Sequence, residues 1–542
     1  MLDLKYLDAV IGSFAVFSVY RLMTLEKRAL PLPPGPRGWP IIGNLLDVPP
    51  KEEWFTFAKW GDTYGIIIVL NVSNISRIFC SVLGQPLIIL NSASIAKDML
   101  EKNSAIYSDR PVIPMGGELC GWKNTLVLTP YGERFRNYRR LAHQLFGNAA
   151  TMKSFHPVEE LETHRFLKQL LSRPAEFSDH IRKTAGAIIL RISHGYEVGE
   201  GQDPFVTLAD KVSHRAVCFI YCTGFLVNLV PFPQYLPDWF PGASFKKTAK
   251  EWSSTLNEMV DLPYDYVKKQ IVSGTAEPSY VSKLVEGQSL TAEQEFEIKW
   301  SSASLYSGGT DTTVSAIYSF FKAMSLYPEV QAKAQAELDA VIGNDCLPSF
   351  EDRDHLPYMQ AVTLETLRWF SVVPTSVPHR VTEDNVFKGY FIPKGALVLS
   401  NLWQMNHDPE VYHDPMSFKP ERFLGPKPEL DPREACFGFA RRICPGTFAA
   451  WQLIPYGFSD SNFRVLADAS VFISCAMALA VFNISKYSEN GVVIEPDRNQ
   501  SSGTIRQAVF SDGVVGHPSS FKCTISPRSD KAVALIQADE RR

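Results

Sequence analysis

The residues best placed to do chemistry are concentrated in the run Phe437-Gly438-Phe439-Ala440-Arg441-Arg442-Ile443-Cys444-Pro445-Gly446. It sets one cysteine between an arginine and a glycine turn, directly after aromatic and small residues. That is how a buried thiolate is presented to a metal, the thiolate being the form of cysteine that ligates. The plain alternative is a free cysteine in the core, a common place for that residue.

Two further constellations precede this loop. Glu365-Thr366-Leu367-Arg368 puts a carboxylate and a guanidinium at i and i+3 of a helical pattern, hence on one face. Pro420-Glu421-Arg422-Phe423 supplies a second guanidinium, whose planar fork suits buried bidentate pairing better than lysine. A Glu-x-x-Arg pair alone reads more readily as a solvated helix pair. Gly308-Gly309-Thr310-Asp311-Thr312-Thr313 lies inside a helical pattern from Ala292 to Leu326, with Thr291 and Gln294 as a capping box and Pro328 as the stop. Two adjacent glycines in a helix interior each cost about 1 kcal/mol relative to alanine, so space for something else is the reason to have them. An ordinary buried helix, its threonines bonding back to its own carbonyls, explains the threonines but not Gly308, Gly309 or Asp311.

In this order, the segments resemble the cytochrome P-450 family. Its cysteine signature runs Phe, two residues, Gly, one residue, Arg, one residue, Cys, one residue, Gly; Phe437, Arg442, Cys444 and Gly446 match it, and Ala440 stands where the family has glycine. Ala440 must then take a negative φ or accept strain. The resemblance implies a mainly α fold, a helical bundle with small β-sheets enclosing a central haem, and heme b as cofactor with Cys444 as its axial thiolate. It implies that Phe437, Gly438 and Gly446 border the haem, that Glu365, Arg368 and Arg422 form a buried network, and that Gly308 and Gly309 open a groove for oxygen. Thr312 would hydrogen-bond dioxygen there while Asp311 relays protons from solvent. By their place in the pattern, Arg139, Arg380 and Arg442 would meet the haem propionates. Phe135 stands where the family commonly has a tryptophan that bonds a propionate, and phenylalanine cannot donate.

The implied activity is insertion of one oxygen atom from O2 into a lipophilic small molecule, such as a terpenoid, a polyketide or an aromatic compound. Two other readings stay open: a haem-thiolate enzyme that isomerises or dehydrates without oxygen, and a non-enzymatic relic with impaired haem binding. No Gly-x-Gly-x-x-Gly follows a strand, so the electrons are expected from a partner, by resemblance NADPH-cytochrome P-450 reductase.

The elements that must position these residues fit one large enzyme. The chain has 542 residues, 45% of them hydrophobic, enough for a sizeable core. A net charge of -4 speaks against nucleic acid as a partner. Nine cysteines without Cys-x-x-Cys pairs suit a reducing compartment, and Cys218 and Cys222, one helical turn apart, read as core packing. Helices are expected at Phe135 to Phe146, Pro328 to Ile342 and Tyr358 to Phe370, and strands at Pro86 to Leu90 and Ala396 to Leu399. Substrate selectivity is expected from loop residues after Arg110 and around Val373 to Val377.

An apolar run from Ala9 to Tyr20, followed by Arg21, Lys27 and Arg28, reads as an N-terminal membrane anchor within residues 1–24. The basic flank favours a cytosolic catalytic domain on the endoplasmic reticulum membrane. Residues 25–40 form a proline-rich hinge, and 41–542 the haem monooxygenase domain. A second proline-rich patch, Leu229 to Pro241, is either a bilayer-touching roof of the substrate channel or a buried loop. Two stretches, near 69–81 and 447–466, exceed the family pattern; the second separates Cys444 from the helix expected behind the haem. They are either translated intron sequence or genuine loops, and transcript sequencing across the junctions separates the two.

Overall fold

The computed structural model describes residues 30–39, 43–44, 46–49, 51–71, 86–147, 149–220, 225–229, 231–447, 466–497 and 515–538. The expected anchor, Cys222, and the bulk of both extra stretches (72–81 and 448–465) lie outside these residues, and of Cys218 only the helical backbone is described. Among the described residues no helix is long and apolar enough to cross a membrane.

The long helix Ala292–Leu326 is the axis of the fold. Its start is fixed by reciprocal capping: the Thr291 hydroxyl accepts from the Gln294 N–H, and the Gln294 amide oxygen accepts from the Thr291 N–H at 2.9 Å. It ends at Tyr327 because Pro328 opens the next helix, Pro328–Val341, at the one position where a missing N–H costs nothing. From Val314 onward the long helix is buried on all sides by helices Phe177–His194, His156–Ser172, Pro357–Trp369 and Leu466–Val481. That last helix is apolar on nearly every side, as a fully enclosed position permits, and its buried Asp468 is paired with Arg353. Helices Pro204–Ile220 and Ser244–Ser273 cover the other half of the molecule.

The sheets are small and mostly at the periphery. Ile67–Asn71 pairs antiparallel with Pro86–Leu90, ending at Asn71 opposite Pro86, so residues 72–85 all lie between the two paired ends. Pro86–Leu90 then pairs parallel with Leu397–Ser400, which in turn carries the two-residue strand His379–Arg380. The described proline-rich residues before this body are bonded to it: the Pro31 and Pro34 carbonyls accept from the Phe391 and Val69 N–H groups, both at 2.8 Å. Gly35 packs so tightly on the strand that a Cβ there would come 1.9 Å from the Val69 carbonyl oxygen.

Candidate active site

One cavity of about 410 Å³ collects most of the residues singled out from the sequence. Cys444, Phe437, Gly438, Gly446, Arg139 and Arg442 line one side, and Gly308, Gly309, Asp311 and Thr312 of the long helix line the other. Arg380 is not among the lining residues.

The cysteine loop is held by its own backbone. The Cys444 N–H donates to the Phe437 carbonyl at 2.9 Å, folding the run back on itself. Burial pushes the Cys444 thiol up, against the Gly446 N–H and the charge of Arg139, which both pull it down. A site that buries a thiol while supplying a donor and a cation to its sulfur suits a thiolate engaged with a positive partner. Ala440 takes φ 54°, the left-handed region, so the alternative that the alanine accepts strain is the one realised. Gly438 sits at φ 81°, where glycine is at home. The helix Leu466–Val481 reaches this site in spite of the extra stretch: Leu466, Ala467, Ser470 and Val471 line the same cavity as Cys444. The described start of this helix therefore borders the cavity that the cysteine also lines.

The cationic rim differs from expectation in one residue. In a strand, neighbours point to opposite faces, and the strand His379–Arg380 turns His379 to the cavity and Arg380 away from it. Arg380 pairs with the Asp109 carboxylate, Nε to Oδ2 at 2.9 Å, and its backbone N–H bonds the Asp109 carbonyl. The cavity instead gains Arg110 and His379, which spacing did not single out. Arg110 donates to the carbonyls of Val127, Val377 and Pro378; Arg442 to those of Ser108, Leu126 and Thr129; Arg139 to that of Ile443. The His379 Nδ1 donates to the Tyr107 carbonyl at 2.7 Å. Burial, then repulsion from Arg442, drives Arg110 well down from its usual range; burial and neighbouring guanidiniums act likewise on Arg442 and His379. A guanidinium keeps its proton in a protein, so this corner of the cavity carries an excess of positive potential that a buried anion would relieve. A dicarboxylate macrocycle ligated through Cys444 fits that demand, and the residues present therefore suit a haem. Phe135, unable to donate, lies under the guanidinium of Arg442, with Cζ 3.9 Å from the ring centroid.

On the opposite wall the two glycines differ. A Cβ on Gly308 would meet no atom within 4 Å, so this position opens into the cavity. A Cβ on Gly309 would lie 3.0 Å from Ile189 Cγ1, so here the absent side chain lets helix Phe177–His194 pack close. The Thr312 hydroxyl donates to the Gly308 carbonyl at 2.8 Å, four residues back. Asp311 Oδ1 is 3.0 Å from His517 Nε2 and 3.9 Å from Arg182 Nη1.

Behind the cysteine, Glu365, Arg368 and Arg422 form a buried network. Arg368 donates to both Glu365 oxygens at 2.7 and 2.8 Å, and Arg422 Nε lies 3.1 Å from Oε2. The remaining donors of Arg368 are taken by the carbonyls of Asn406, Pro415 and Ser417. These bonds tie helix Pro357–Trp369 to the segment that leads into the cysteine loop. With each lone pair and N–H so engaged, the geometry is that in which buried charge is tolerated.

The fold and this arrangement define a haem-thiolate oxidoreductase scaffold. The chain belongs to the cytochrome P-450 family: the family model described as "Cytochrome P450" (here written P-450) matches residues 33–454, a match that ends inside the second extra stretch. It is 46% identical over 533 residues to cytochrome P-450 monooxygenase 208 of Postia placenta, covering 98% of this chain and 96% of that protein. It is 44% identical over 530 residues to cytochrome P-450 monooxygenase claR of Ampulloclitocybe clavipes, covering 97% and 92%. Cytochrome P-450 monooxygenase ppsD of Aspergillus oryzae is 40% identical over 519 residues, covering 94% and 91%. The protein is an enzyme, an oxidoreductase, and these relatives are fungal.

Proposed function

We propose that this enzyme inserts one atom of O2 into a lipophilic small molecule of secondary metabolism, with electrons from NADPH through a separate flavoprotein reductase. The observation that carries this reading is the cavity that joins Cys444 on one wall to Gly308, Asp311 and Thr312 on the other, closed between them by apolar groups such as Ile188, Leu305 and Val377. Cys444 would hold the iron, and Arg110, Arg139, Arg442 and His379 the propionates. The haem supplies the redox chemistry of oxygen, and the thiolate favours O–O cleavage.

The chain's own residues manage substrate and protons. The apolar wall excludes water and admits a lipophilic molecule. The Thr312 hydroxyl, while it donates to Gly308, has lone pairs to accept with; to donate into the cavity it must give up that bond. Asp311 is its chain neighbour, and neighbouring positions on a helix do not face each other. A proton passes from Asp311 to Thr312 only if the carboxylate turns from its partners or a water bridges the gap.

Placement on the endoplasmic reticulum membrane, through an anchor in residues 1–24 and a hinge in 25–40, belongs to the same reading. It is supported by the exposed aromatic patch between helices Pro204–Ile220 and Ser244–Ser273, where Phe232, Tyr235 and Trp239 are 60%, 77% and 80% exposed. Aromatic side chains of this kind settle at a lipid interface.

The reduced, carbon monoxide-bound spectrum tests the reading first, because a thiolate-ligated haem gives a long-wavelength Soret band that Cys444→Ser should abolish. Incubation with reductase, NADPH, 18O2 and a panel of terpenoids and polyketides should label a product. A wild-type chain that stays colourless after haem supplementation, or product formed equally without oxygen, would overturn it.

A further inference from the structure

We infer that His517 is a positioning residue for Asp311: its Nε2–H holds the carboxylate in place beside the cavity and thereby sets when Asp311 can turn toward Thr312. This rests on the proton-relay reading of Asp311 given above.

The contact joins residues far apart in sequence. A carboxylate only accepts, so the hydrogen of the 3.0 Å contact is on His517 Nε2. Arg182 lies 3.9 Å from the same oxygen and also pairs with Asp210 at 3.2 Å, so the imidazole is the nearer of these two donors. All three side chains are largely shielded from solvent, with exposures of 17%, 13% and 16% for Asp311, His517 and Arg182. The imidazole is also placed firmly. The Gly516 carbonyl accepts from the Ser315 hydroxyl, the Gly516 N–H donates to the Val372 carbonyl at 2.8 Å, and the Phe521 N–H meets the Tyr318 hydroxyl at 3.3 Å. Asp311, Ser315 and Tyr318 are spaced i, i+4 and i+7, one stripe of the long helix, so the segment around His517 is fastened along that stripe. Val515 lines the cavity itself. The His517 Nδ1 is buried without a hydrogen-bond partner among the described residues. A ring placed at that cost has its useful bond on Nε2.

The test uses the full-length, haem-loaded protein with reductase and a turned-over substrate. His517→Gln puts an amide N–H about where Nε2 lies; His517→Ala removes the donor. With Ala, product formed per NADPH should fall roughly tenfold, a modest share of what a placed proton donor contributes, with little change in KM. Gln should restore most of the coupling. Independently of turnover, thermal unfolding of His517→Ala, Asp311→Asn and the double variant should be non-additive, because the two groups share one bond. Wild-type coupling and additive stabilities for His517→Ala would overturn the inference, as would a Gln variant as defective as Ala. If Asp311→Asn alone couples like wild type, the relay reading falls and the role of His517 in turnover falls with it, while the stability cycle still registers the contact; the two failures are thus told apart.

Discussion

The Arg442 guanidinium rests on the Phe135 ring, Cζ 3.9 Å from its centroid, two residues before the cysteine of the metal loop. Phenylalanine at this place does not bond an anion, but its π face keeps a buried cation oriented, a contact worth about 1 kcal/mol or more once desolvated. Phe135→Leu should therefore lower stability by about that amount and speed transfer of haem to a scavenger protein. Phe135→Trp keeps the ring face and adds a donor, so haem retention should equal or exceed wild type.

Ala440 at φ 54° carries backbone strain of roughly 1–2 kcal/mol that glycine would not. After allowance for the greater freedom of glycine in the unfolded chain, Ala440→Gly should stabilise the protein by about 1 kcal/mol in denaturant titrations. A β-branched substitution, Ala440→Val, should destabilise it. The opposite order would mean that the strain is absent.

Two arginines near the cysteine loop should behave oppositely. Arg380 is committed to Asp109, whereas Arg110 lines the cavity among other cations. Arg110→Gln should lower the haem-to-protein absorbance ratio several-fold more than Arg380→Gln does. Equal losses would return Arg380 to the rim.

A pH dependence follows from Glu159. This carboxyl is completely buried on helix His156–Ser172, accepts from the Ser470 hydroxyl at 2.6 Å, and is pushed by burial up to about 8, against the pull of that bond and of Arg353. The folded state thus holds a proton that an ordinary, solvated glutamate in the unfolded chain releases near 4.5. Its contribution to stability is fully present below that value and is lost as pH rises through about 8. Thermal midpoints measured from pH 5 to 9 should decline, and Glu159→Gln, which can still accept from Ser470, should flatten that decline. Asp468 also raises Glu159, so Asp468→Asn should shift the decline to lower pH, both by removing that repulsion and by freeing Arg353 to favour the Glu159 carboxylate.

Helix bounds were legible to within a residue or two because they depend on local signals. The pattern from Ala292 to Leu326 matches the observed helix, its cap and its terminating proline being neighbours in sequence. The expected Tyr358 to Phe370 appears as Pro357–Trp369, shifted by one because proline fits the first helical position. The cysteine loop and the Glu365–Arg368 pair were legible for the same reason: residues three to ten apart meet whatever the rest of the chain does.

Contacts across long separations were not. Its place in the family pattern marked Arg380 for the rim, yet only the pairing of His379–Arg380 with Leu397–Ser400 decides which neighbour faces inward. His517, a partner of Asp311, lies 206 residues away, and no periodicity announces it. The sequence by itself determined which residues can ligate, pair and cap, since side-chain chemistry and local backbone preferences reside in short segments. Tertiary packing decided which cations share the cavity, which glycine opens it and which imidazole holds its carboxylate, because burial and facing are properties of elements assembled against one another.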